Sequence, residues 1–206
     1  MVVAIVDYGV GNLASVAAAV EKVGFSANVT SDPATIKSAD KLILPGVGAY
    51  GDGMKHLQER GLVEPLTAAV MDLKTPILGI CLGFQLIANS SEEFGEHQGL
   101  GWIDAEVVHL SPEDESLRVP HVGWNELYQT KPSPLFEGIE DETLFYYVHS
   151  FQLKPKTDDI VIGTCDYGGK FVAAVQQDNI FAVQFHPEKS QLGGLALVKN
   201  FLKMEG

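Results

Sequence analysis

Short apolar runs rich in Val and Ile alternate, over the first half of the chain, with stretches whose apolar residues recur at helical spacing. Residues 2–6, 41–44 and 77–80 read as strands, and residues 13–23 and 62–71 as helices. That alternation predicts βαβ units, hence a parallel sheet with helices on both faces. Past Ala105 the spacing tightens. Residues 144–148, 160–165, 171–175 and 180–185 read as successive strands, expected to form an antiparallel extension ahead of a last helix over 195–204. Polar and Pro-rich stretches at 111–115 and 131–134 predict exposed turns, and residues 89–101 a polar loop.

Composition narrows the class. The 206 residues are 46% hydrophobic, with 21 glycines, which suffices for a sizeable core and is most simply one domain spanning residues 1–206. A formal net charge of -13 argues against nucleic acid as a partner, because phosphate backbones are held by Lys and Arg. No uninterrupted apolar stretch approaches the roughly 20 residues a membrane helix needs. The first strand runs straight into Asp7 without a basic segment ahead of it, so the expected location is cytoplasmic. Of the two cysteines, Cys81 and Cys165, the first stands where a thiolate is wanted, which fits a reducing compartment better than a disulfide.

The candidate chemistry sits at strand ends, where open α/β sheets bind their ligands. Gly79-Ile80-Cys81-Leu82-Gly83 has the small-x-nucleophile-x-small pattern of a nucleophile elbow, with Gly79 and Gly83 expected to permit the sharp turn. Unpaired amides at the start of the following helix favour a thiolate and can donate to an oxyanion. A cysteine nucleophile needs a base. In His186-Pro187-Glu188 a carboxylate two residues on can orient the imidazole. Taken singly, a free cysteine is more often a buried hydrophobe and a histidine here a strand cap. The odds reverse with a third feature, Pro45-Gly46-Val47-Gly48, a flexible strand end able to supply oxyanion donors.

These motifs, with Asp7-Tyr8-Gly9-Val10-Gly11-Asn12, the extended elbow through Phe84-Gln85, Pro120-His121-Val122-Gly123-Trp124-Asn125, Tyr147-Val148-His149-Ser150-Phe151 and His186-Pro187-Glu188-Lys189-Ser190, resemble the triad (class I) glutamine amidotransferases across essentially the whole chain. Their order is that of the branch forming the glutaminase subunits of imidazole glycerol phosphate synthases, in histidine biosynthesis. The resemblance implies a flavodoxin-like α/β fold, with a mixed sheet and a C-terminal antiparallel extension. It implies hydrolysis of glutamine to glutamate and ammonia through a Cys81-His186-Glu188 triad and a thioester, with no cofactor and no metal. Leu82 would offer one oxyanion amide and Val47 with Gly48 the second. A Val47 peptide that turned its carbonyl inward at rest would hold the activity down, and the neighbouring glycines make such a flip sterically cheap. Gln85, Glu93, His149, Ser150 and Phe151 would contact the substrate. The implied partner is the cyclase subunit of the synthase, which has a TIM-barrel fold and consumes the ammonia, with Val10, Asn12, Trp124, Tyr146 and Lys189 as candidates at that face.

Two other classes compete. Gly9-Val10-Gly11-Asn12-Leu13-Ala14 formally matches a dinucleotide-binding fingerprint, with Asp32 near the position of a ribose ligand. Peptidases and γ-glutamyl hydrolases use related Cys-His-acid sites on similar folds; Gln85, Glu93 and the 120–125 block favour free glutamine.

Overall fold

The structure is a computed structural model that describes residues 1–204 of the chain, and its strands distribute their apolar residues between two layers. In β1 (Val3–Val6) Ala4 and Val6 face one layer, Val3 and Ile5 the other; in β3 (Lys41–Gly46) Leu42 and Leu44 oppose Ile43. Helix α1 (Leu13–Lys22) buries Val16, Ala19 and Val20, the i, i+3, i+4 stripe that periodicity predicts. It shares its layer with the last helix, α6 (Gln191–Lys203), through Leu197 and Phe201. Strand β2 (Ala27–Thr30) and the short α2 (Pro33–Lys37) complete the edge, and α3 (Tyr50–Glu59) and α4 (Val63–Thr67) cover the opposite face with Met54, Leu57 and Leu66.

Strands β2, β1, β3, β4 (Ile77–Cys81) and β13 (Ile180–Val183) lie side by side in that order, all parallel. The expectation that residues 180–185 belong to the antiparallel extension is therefore corrected. All four residues of β13 are buried, as in a strand covered on both faces, and its parallel register with β4 places it in the central sheet. The extension continues from β13 through β12 (Lys170–Gln177), β10 (Phe151–Pro155) and β7 (Ala105–His109), each antiparallel to its neighbour. Strand β11 (Val161–Asp166) branches from β12 and carries β8 (His121–Gln129), which pairs along its length with β9 (Thr143–His149).

Three boundaries differ from the sequence reading. The 89–101 loop contains a small hairpin, β5 (Ser90–Ser91) with β6 (His97–Gln98). The 62–71 helix gives way after Thr67 to a wider turn in which Leu73 N bonds Ala68 O, five residues back, at 3.0 Å. Helix α6 begins at Gln191 rather than 195, running through Gly193 and Gly194. Those glycines look like breakers, yet a Cβ on Gly194 would lie 1.9 Å from Pro187 O, so glycine lets the helix press against the turn that follows His186.

The elbow is built by a similar approach. Helix α5 (Leu82–Leu86) leaves β4 at once, and a Cβ on Gly83 would stand 1.8 Å from Leu44 O in β3. A Cβ on Gly79 would meet Gly83 O at 2.9 Å. The glycines thus admit helix and strands to contact, while the unusual backbone falls on Cys81 itself, with φ 54° and ψ -104°. The glycines permit the sharp turn, as expected, by allowing these approaches.

On the far wall, His149 Nδ1 lies 2.9 Å from Phe151 O, and a carbonyl only accepts, so this nitrogen carries the proton. His149 Nε2 is then an acceptor, His121 Nδ1 at 3.2 Å must donate to it, and His121 Nε2 faces the Asn125 amide at 3.5 Å. The chain is satisfied only with both rings neutral. Burial pulls His121 down to about 4 and His149 to about 3, the neighbouring His121 and His186 adding to the effect on His149.

Below pH 6.5 the unfolded chain therefore takes up protons on these rings that the native protein refuses, and stability falls with pH. Urea midpoints measured from pH 6.5 down to 4.5 should fall, and His149→Gln should flatten the slope by up to about 1.4 kcal/mol per pH unit. Gly83→Ala should lower stability at neutral pH by at least about 1–3 kcal/mol, the cost of overpacking, in the same urea assay.

Candidate active site

Register brings the first two catalytic elements together: Gly46 at the end of β3 pairs with Cys81 at the end of β4. A cavity of about 290 Å³ opens at these strand ends. Cys81 and His186 line it, with Val47, Gly48 and Leu82 along one side and Gln85, Glu93, His149, Ser150 and Phe151 around the rest. All the residues expected to hold substrate or oxyanion thus meet in one space with the nucleophile. Gly48 has φ +100°, a conformation that favours glycine, and the Val47 side chain beside it is exposed.

His186 stands on the turn after β13, and Glu188 lies behind it. His186 Nδ1 and Glu188 Oε1 are 2.8 Å apart, both side chains buried. Burial alone would lower the imidazole pKa. The Cys81 sulfur and the Glu188 carboxylate outweigh it and raise His186 to about 9, so the ring is protonated at neutral pH. Its Nε2 is buried and has no partner meeting hydrogen-bond geometry among the described residues, so Cys81 acts on it through proximity and charge. The turn is clamped to β9: His186 N donates to Tyr146 O at 2.9 Å, Ser190 Oγ donates to His186 O at 2.6 Å, and Tyr146 N donates to Ser190 Oγ at 3.0 Å.

Several site residues are already engaged. Glu93 Oε2 accepts from Tyr50 N, at the start of α3, at 2.6 Å, and burial pushes the carboxyl pKa up despite that bond. Gln85 Nε2 donates to Phe151 O at 3.1 Å and to Gln184 Oε1 at 3.0 Å. Phe151 O therefore receives both Gln85 and His149. Gln184 is fully buried and reaches Cys81, yet the sequence reading did not single it out. The available signal was a glutamine at the end of an otherwise apolar strand run. Ser190 was quoted only as part of a motif; its clamping role needs the fold.

The five candidates for a partner face divide into two groups. Trp124 and Tyr146 are directly opposed in the β8–β9 pair, their ring centroids 6.0 Å apart, and Lys189 Nζ lies 5.6 Å from the Tyr146 centroid. The Tyr146 ring is 6.5 Å from that of His186, and the exposed Val122, Trp124 and Leu144 share its face of the hairpin. Val10 and Asn12 stand apart, on the loop after β1. Val10 packs on the core and Asn12 Oδ1 caps α1 by accepting from Ser15 N at 3.4 Å. A Cβ on Gly11 of that loop would lie 3.6 Å from Gly46 Cα, so the loop borders the candidate oxyanion strand. Asp32 caps α2, its Oδ2 accepting from Thr35 N at 2.9 Å and from Thr35 Oγ1 at 2.6 Å.

Comparison with known proteins agrees with this arrangement. The family model for class-I glutamine amidotransferases matches residues 4–204. A protein of Syntrophotalea carbinolica named imidazole glycerol phosphate synthase subunit HisH is 50% identical over 97% of this chain and 98% of its own length. One of the same name from Sulfurimonas denitrificans is 51% identical, covering 98% of this chain and 97% of the relative. Among solved structures, PurLQS from Thermotoga maritima superposes with a TM-score of 0.76 at 20% identity, covering 98% of this chain and 97% of that one. The glutaminase domain of Trypanosoma brucei CTPS, solved with bound acivicin, gives 0.66 at 17%, with 100% and 95% covered. No described helix is long and apolar enough to cross a membrane. With the fold, the elbow and the family match over nearly its full length in agreement, this chain belongs to the class-I glutamine amidotransferases.

Proposed function

We propose that the chain is the glutaminase subunit of an imidazole glycerol phosphate synthase, releasing ammonia from glutamine for a cyclase subunit in histidine biosynthesis. The observation that carries the chemistry is the buried His186-Glu188 pair, 2.8 Å apart, on a cavity shared with a backbone-strained Cys81. The relatives that are 50% and 51% identical carry the name of that synthase subunit, which supports the choice of pathway.

In this reading the Cys81 sulfur attacks the side-chain carbonyl carbon of glutamine, giving a tetrahedral oxyanion. The amide of Leu82, and in the active state one from the Val47–Gly48 strand, would donate to that oxygen, and one such donor is worth roughly two to three powers of ten in rate. Protonated His186 gives its proton to the departing nitrogen as the C–N bond breaks, leaving ammonia and a glutamyl thioester. The neutral imidazole then takes a proton from water as it attacks the thioester, and C–S cleavage returns the thiolate and glutamate. Glu188 holds the Nδ1 proton and supports the imidazolium. Gln85 and Glu93, with the backbone at Ser150 and Phe151, lie where the amino-acid end of glutamine would be bound.

Ammonia set free in water is protonated and lost as a nucleophile, so a synthase gains by direct transfer. The exposed apolar face formed by Val122, Trp124 and Leu144 beside Tyr146 supports docking of the cyclase there, since unpaired aromatic and apolar side chains on one sheet face are typical anchors. Tyr146 and Lys189 link that face to His186.

Glutamate release should be slow for the isolated chain and strongly stimulated when cyclase and its nucleotide ligand are added; brisk activity unchanged by cyclase would point to another acceptor. In the assembled complex, Cys81→Ala should abolish glutamine-dependent synthesis and leave ammonia-dependent synthesis intact. Loss of both would contradict the assignment. Glu188→Gln should lower kcat by roughly two to four powers of ten. It should also move the alkaline limb of kcat/KM to lower pH than in the unaltered protein, because the imidazolium loses the carboxylate that helps to raise its pKa.

A further inference from the structure

The amide of Gln184 has only one orientation compatible with its surroundings. Phe151 O, being a carbonyl, can only accept, so the Gln85 atom 3.1 Å from it is the NH2 group. The same nitrogen lies 3.0 Å from the Gln184 side chain, which must therefore present its oxygen to Gln85. The Gln184 NH2 is left pointing at Cys81 Sγ, 3.9 Å away. Reversing Gln184 alone would oppose two NH2 groups; reversing both glutamines would oppose Gln85 Oε1 to Phe151 O. The direction of the donor is fixed by a backbone carbonyl two side chains distant.

The sulfur needs such a donor. Its other polar neighbour on this side, Val148 O at 3.9 Å, is an acceptor that suits a thiol proton and repels a thiolate. His186 approaches across the cavity it lines and must leave the sulfur's vicinity electrically when it gives its proton away. A fully buried amide cannot exchange its direction for a water contact, so Gln184 offers a fixed N–H dipole throughout the cycle.

We propose that Gln184 is a further functional residue of this site, its NH2 group supporting Cys81 in its thiolate form beside His186, with its orientation set through Gln85 by Phe151 O. The proposal rests on Cys81 being the nucleophile, as in the function proposed above. Its consequence is that the carbonyl of Phe151 governs the nucleophile as well as the wall of the cavity.

Alkylation of Cys81 by neutral iodoacetamide reads the thiolate without requiring glutamine to bind, and so separates this role from any part Gln85 plays in substrate recognition. Gln184→Met, similar in volume, should move the midpoint of the alkylation rate against pH upward by about one unit, the worth of one hydrogen bond to a charged sulfur. Gln184→Glu should move it further, because a carboxylate replaces the donor. Folding of each variant is checked by circular dichroism. A midpoint unchanged in folded Gln184→Met overturns the proposal. A second measurement uses the unaltered protein with 15N-labelled glutamine side chains: the Gln184 NH2 resonances should shift as Cys81 titrates, and the shift should vanish in Cys81→Ser. Resonances that stay fixed through that titration also overturn it. A normal alkylation shift in a chain that releases no glutamate even with cyclase and its nucleotide ligand present would retain this inference and remove the glutaminase reading instead.

Discussion

The contact between α5 and β3 sets the geometry on which the rest of the site depends. Because Gly83 has no side chain, the first turn of α5 can lie against Leu44 O, and the nucleophile is carried on the tight connection between them. A helix held farther off would leave a longer link after β4, and Cys81 would lose both its strained backbone and its place beside Gly46. The strain at φ 54° is sustained because strands on both sides of β4 and a packed helix beyond it over-determine the position. The same device recurs where Gly194 lets α6 approach Pro187 O, fixing the turn that bears His186 and Glu188. Nucleophile and base are thus each located by a glycine that allows a helix to touch backbone.

Around this pair, polar groups are arranged in sequences whose direction is fixed by carbonyls. Phe151 O receives His149 Nδ1 and Gln85 Nε2, and from it one series runs outward to His121 and Asn125 while another runs inward to Gln184. Burial of the histidines keeps them neutral, which is the state the outward series requires. The imidazole of His186 has the opposite environment, since a carboxylate and a sulfur face it and hold it protonated. Rings on adjoining walls are therefore kept in different charge states by what surrounds them.

The alternating apolar runs were enough to place β1, β3, β4 and α1, because those elements bury side chains at the period their local structure demands. The proximity of Cys81, His186 and Glu188 was equally legible, because their residue types and spacing carry constraints that few other arrangements impose. Strand β13 was misassigned to the extension because a buried apolar run does not state the direction of its neighbours; only the register with Ile77 through Ile80 does. The start of α6 was missed because glycine at a close approach reads locally as a helix breaker. Gln184 was passed over since its partners, Gln85 and Cys81, lie 99 and 103 positions away in the chain. Val10 and Asn12 show the converse case, residues noticed for a partner face that the fold also uses for packing and capping.

The Ser190 clamp gives the molecule a mechanical asymmetry. Two hydrogen bonds join Tyr146 to the His186 turn and a third, from Ser190 Oγ to His186 O, closes the turn on itself, whereas Cys81 is anchored to β3 and α5. The β8–β9 hairpin is thus tied through backbone to the element that bears His186, while Cys81 belongs to the parallel strands. Ser190 Oγ, a single buried hydroxyl, takes part in both the bond to Tyr146 and the bond to His186 O, so one atom joins the hairpin to the turn beside the backbone bond.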